Sequence, residues 1–124
     1  MLPLKNIFIL KNLGEDFPEY KEWLESVSNR IKDLLVPFQA FDYHHPNQEG
    51  SASIKKVLPV ITEKSYEEMN ISDGEDASIS FIEITYNDCP DEQKLRIRED
   101  LKQYCSLDTE GMFLILKELR KLDA

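Results

Sequence analysis

The sequence predicts an α/β fold, mostly helical, and three observations support that class. An apolar series, Leu101, Cys105, Met112, Ile115, Leu119 and Leu122, recurs at alternating four- and three-residue steps, the period of one helix face. The run RIKDLLVPF is short and apolar, and Pro37 prevents it from continuing as a helix, so a brief buried strand is expected at about 30–35. The chain has 124 residues, 41% of them hydrophobic, which suits one domain with a modest core, here taken as residues 1–124.

The elements follow in order. The opening apolar segment predicts a helix at about 5–13, broken near Gly14, and a second from Pro18 to about Val27, with Pro18 in its first turn. Tyr20 and Trp23 are expected in the core or at its boundary. FDYHHPNQEGS is a loop by composition. Ser51 or Ser53 then caps a short helix, SIKKVLPV, that Pro59 limits. Residues 62–76 lead through a helix start into a turn at Ser72, Asp73 and Gly74. DASISFIEITY is ambiguous, since Ala77, Ile79 and Phe81 alternate as in a strand while Ala77, Phe81 and Ile84 fit a helix. The last helix opens at Pro90 with Asp91 and Glu92 in its first turn and closes on basic residues, as the helix dipole favours.

No stretch is long and apolar enough to span a membrane, and the start has no basic run or cleavage site of a signal peptide, so a cytoplasmic location without membrane contact is expected. Cys89 and Cys105 have no disulfide or metal spacing and read as free thiols, with Cys105 a buried small residue on the apolar stripe. A formal charge of −9 works against nonspecific binding to a polyanion.

One position breaks the helical stripe. Asp108 stands where the period asks for an apolar side chain, and an ionised carboxylate there costs several kcal/mol unless something compensates it. One explanation is local: Asp108 ends one helix and caps the next. The other is chemical, because Tyr104 precedes it by one helical turn and on the same face.

Tyr104-x-x-x-Asp108 resembles the third motif of the DEDD, or DnaQ-like, 3′→5′ exonuclease superfamily in its tyrosine form. YCSLDTEGM is similar to the wider form of that motif, and GSASIKKVLP to the serine-led helix before it. The ordered set NRIKDLLVPF, GSASIKKVLP, SYEEMNISDGEDAS and YCSLDTEGM resembles a bacterial family of unknown function found at the C-terminus of RecB-like nuclease proteins, over about Leu13 to Leu122. The resemblance implies a partial ribonuclease-H-like (DnaQ-like exonuclease) fold lacking its first strands, with Ala77 to about Tyr86 helical. It implies Asp108 as ligand of Mg²⁺ or Mn²⁺ in a full-length parent and Tyr104 as the group orienting the attacking water. Lys55 and Lys56 are candidates for contact with a nucleic-acid backbone in that parent, although lysines after a Gly-Ser turn more often face water.

The chain departs from the family pattern at the other acids. It has no Asp-x-Glu strand, and the second-motif acid falls near Lys5 or Asn6. One ligand of four remains, and a single carboxylate cannot hold two hard cations. The expectation is therefore the C-terminal part of an exonuclease-like domain, inactive and without a bound metal when isolated, and forming a homodimer through an exposed sheet edge. The alternative is a noncatalytic acidic protein-interaction module. An acidic mimic of nucleic acid is a third, weaker reading. His44 and His45 are adjacent and make a poor metal pair, Asp33 suits a capping role, and Asp73, Glu75 and Asp76 form a solvated turn.

Overall fold

A computed structural model describes the backbone of residues 3–123 and the side chains of residues 6–123. Every regular element among them is a helix, so the α/β class and the partial ribonuclease-H-like fold are not what this sequence forms. The chain divides into two compact units, residues 1–36 and 37–124.

In the first unit, helix α1 (Pro3–Asp16) packs against α2 (Lys21–Ser28), with a single 3₁₀ turn at Pro18–Tyr20 between them. Gly14 does not end α1. It is buried, and a Cβ there would lie 3.5 Å from the Cα of Lys21 and 3.7 Å from Leu24, so its missing side chain lets the two helices approach. Leu24 is buried in this contact, while Tyr20 and Trp23, expected at the core or its boundary, are exposed.

The expected strand at 30–35 is absent for a local reason. The Asp33 carboxylate accepts the Leu35 N–H at 2.9 Å, and the Asp33 carbonyl accepts the Val36 N–H, which curls the apolar run into a turn. A single helical turn, α3 (Val36–Gln39), follows. Without a neighbouring strand to take its N–H and C=O groups, an extended run there would leave them unpaired. The sheet edge expected to join two copies has no counterpart among the described residues.

The second unit is built along one long helix. α6 (Asp91–Leu122) has 32 residues, and both α4 (Ile54–Ile61) and α5 (Gly74–Tyr86) pack on it. Pro59 lies inside α4, where it leaves the Lys55 carbonyl without its helical donor, and the helix ends two residues later. Asp73 caps α5 by accepting the Asp76 N–H at 2.9 Å. Local β propensity in α5 yields to packing, as the family resemblance implied. Val57 and Leu58 of α4 and Ile115 of α6 are fully buried, and Gly111 lets the two helices meet. A Cβ at Gly111 would stand 3.3 Å from Leu58 Cδ2 and 3.6 Å from Ile54 Cδ1.

Substituting Gly111→Leu should therefore overpack this crossing and destabilise the second unit by about 1–3 kcal/mol. Urea unfolding followed by circular dichroism reads the loss, and an unchanged midpoint would contradict this account of the α4–α6 contact.

Candidate functional site: a tyrosine–carboxylate cluster

α6 runs unbroken through position 108, so Asp108 is not a cap between two helices. The face that packs is slightly rotated from the apolar stripe seen in the sequence. Tyr104, Asp108, Gly111 and Ile115 lie on it at least half-buried, whereas Cys105 and Met112 are exposed. Cys105 is thus a surface thiol and not the buried small residue its spacing suggested, while Cys89 is buried and both are free.

Asp108 is answered by a residue 42 positions earlier. The buried Tyr66 hydroxyl donates to Asp108 Oδ1 at 2.6 Å, a short hydrogen bond to a carboxylate. Tyr66 sits in the irregular segment between α4 and α5, which two further contacts tie along α6. Asn70 Nδ2 donates to Asp100 Oδ1 at 3.1 Å, and Lys64 Nζ reaches Glu110 Oε2 at 2.7 Å. The Tyr66 and Tyr104 rings pack in a tilted arrangement with centroids 6.0 Å apart.

Burial pushes the Tyr66 phenol well above the ordinary tyrosine range, and the Asp108 carboxylate adds to the effect. Tyr104 is raised for the same two reasons, with a smaller contribution from Asp73. Both phenols therefore stay protonated at neutral pH, and the Tyr66 hydroxyl is the one that hydrogen-bonds the carboxylate. Tyr104 also brings its hydroxyl to the start of α5, where a Cβ on Gly74 would lie 3.7 Å away. Beside it, the Asp73 carboxyl is held below its ordinary value, first by the Asp76 N–H and then by the Lys55 ammonium, 3.7 Å from Asp73 Oδ2.

Of the residues singled out in the sequence, Tyr104 and Asp108 share this cluster, and Lys55 joins it through Asp73. Lys56 does not. It pairs with Glu49 at 2.6 Å on the exposed surface. The adjacent histidines have separate local roles: His45 Nδ1 accepts the Asn47 N–H and caps a 3₁₀ turn, and His44 lies against Phe41. Tyr66 and Asp73 are the members that sequence reasoning missed. Asp73 carried a signal, an Asp-Gly followed by acids at a helix start. Tyr66 carried none, because a loop tyrosine has no periodicity that points to a partner 42 residues away.

A two-cation phosphodiesterase centre needs several carboxylates around ions about 4 Å apart. Among the described residues, no three acidic, histidine or cysteine side chains gather as such a group. The residues present do not fit a two-cation centre. What the cluster does chemically is offset the cost of a half-buried carboxylate with the hydrogen bond from the Tyr66 hydroxyl.

Tyr66→Phe should cost about 1.5–3 kcal/mol, the value of a hydrogen bond to a charged group. In an Asp108→Leu background the same change should cost much less, and equal costs in both backgrounds would deny the coupling. Alkaline titration gives a second test. The raised phenols contribute fully below the unfolded tyrosine value of about 10 and lose their contribution as pH climbs above it, because the unfolded chain ionises first. Stability should fall more steeply above about pH 10 in the parent than in Tyr66→Phe. Two of the five tyrosines should ionise late in a spectrophotometric titration.

Comparison with known families places residues 7–53 in similarity to a domain of unknown function, DUF2779. That segment ends before Tyr66, Asp73, Tyr104 and Asp108, so it bears on none of them. No curated protein and no solved structure matches the chain. What is established is thus a partial likeness to a family whose function is itself undetermined.

Proposed function

We propose that this chain is by itself noncatalytic, an acidic module for interaction with another protein. The observation that carries this reading is the apolar surface its helices leave in water. Ile9 and Leu13 stand one turn apart and exposed on α1, Trp23 is exposed on α2, and Ile79, Ile82 and Tyr86 are exposed on α5. Scattered apolar residues are ordinary on a protein surface, but runs along one helix face mark surfaces that partners cover. The charge of −9 disfavours a nucleic-acid ligand for the isolated chain.

A second reading is favoured by one specific feature, the position of Tyr104 between Asp108 on its own helix and Asp73, which pairs with Lys55. In it, this helix contributes Asp108 to a Mg²⁺- or Mn²⁺-dependent 3′→5′ exonuclease site of a longer parent protein, which acts on nucleic acid and supplies the remaining carboxylates. Both readings expect the chain alone to be inactive.

The chain incubated with end-labelled single-stranded DNA or RNA and Mn²⁺ should leave the label intact. Degradation that disappears in Asp108→Ala would overturn the noncatalytic reading, and with it the requirement for carboxylates from a parent protein.

A further inference from the structure

α5 is apolar on two sides. Ala77, Ser80 and Ile84 share one face and are half-buried where α5 packs on α6. Ile79, Ile82 and Tyr86, at i, i+3 and i+7, share another, and they are 58%, 52% and 77% exposed. A helix with apolar residues all round suits a place covered on all sides, and here only one side is covered. Ile79 and Ile82 continue into a groove of about 440 Å³ walled by Glu83, Asp88, Cys89 and Pro90.

The stretch of sequence that carries this face has charge of one sign, although Asp73 and Glu92 within it are paired with Lys55 and Arg96 from outside it. From Ser65 to Gln93 there are nine acids and no lysine, arginine or histidine, which equals the net charge of the entire chain. Among the described residues Glu75, Glu83 and Asp88 take part in no ion pair. An occupant must therefore offer apolar side chains at helical spacing and positive charge beside them. A second copy meeting this face with its own would set acid against acid. An anionic membrane surface would be repelled as well.

We propose that the Ile79–Ile82–Tyr86 face of α5 docks an amphipathic helix of a partner protein, one whose apolar stripe is flanked by lysine and arginine. This assignment rests on the interaction-module reading and gives it a surface and a partner chemistry.

The test uses the full chain and a labelled synthetic helix with leucines at i, i+3, i+4 and i+7 flanked by lysines, followed by fluorescence anisotropy. The lysine helix should bind, more weakly as salt rises. A version with glutamates in place of the lysines, and a scramble that destroys the apolar period, should each bind about tenfold more weakly or worse. The double change Ile79→Ser with Ile82→Ser should weaken the lysine helix by about tenfold or more. Glu83→Gln with Asp88→Asn should flatten the salt dependence. All four side chains are on the surface or the groove wall, and Tyr86→Ser is a milder variant should the double change unfold α5.

Binding that ignores the α5 substitutions, or no preference for the lysine helix, would overturn the assignment while leaving the module reading in place. So would a self-associated species in sedimentation that the α5 substitutions dissolve, since a second copy would then cover the face. Metal-dependent cleavage that requires Asp108 would remove the module reading itself, whatever the peptide does.

Discussion

The second unit depends on how a negative charge is accommodated in the packing face of its longest helix. Asp108 lies one turn from Tyr104 and about two turns from Ile115, among residues that α4 and the segment after it must cover. Left unpaired it would cost several kcal/mol. The buried Tyr66 hydroxyl meets it at 2.6 Å and so draws an otherwise irregular segment onto α6, where Lys64 and Asn70 add ties to Glu110 and Asp100. One polar contact thereby fixes the path of the chain between α4 and α5, in a place where no backbone ladder does so.

The same cluster gives Tyr104 and Asp108 a structural task in the packing of α6. Tyr104 and Asp108 share a helix face, as their spacing requires, and burial together with the carboxylate raises the phenol. These effects keep Tyr104 protonated. Lys55, attracted by Asp73, balances the acid at the start of α5.

Helical packing in this chain is one-sided. α1 meets α2, and α4 and α5 meet α6, yet each unit leaves apolar side chains in water. Hydrophobic burial is the main favourable term in folding, so surface of this kind is free energy available to an association. On α5 it coincides with a stretch, Ser65 to Gln93, that carries nine acids and no basic residue of its own. The apolar side chains would supply affinity there, and the carboxylates would select the partner by charge.

Much of the helical content was written locally. Pro18, Pro90, the acids at Asp91 and Glu92, and the basic close of the last helix are signals that act within a turn of where they stand, and the helices begin and end near them. Asp33 suited a capping or structural role for the same reason, and it closes a turn. The sequence also required that Tyr104 and Asp108 share a face, because that follows from the helical repeat alone. Where residues 30–35 and 77–86 went was decided by tertiary structure. A strand exists only if a second strand accepts its hydrogen bonds, and α6 offered α5 a helical surface instead. The partner of Asp108 was likewise a tertiary decision, since a contact across 42 residues leaves no trace in local spacing and is fixed only when the loop closes on the helix.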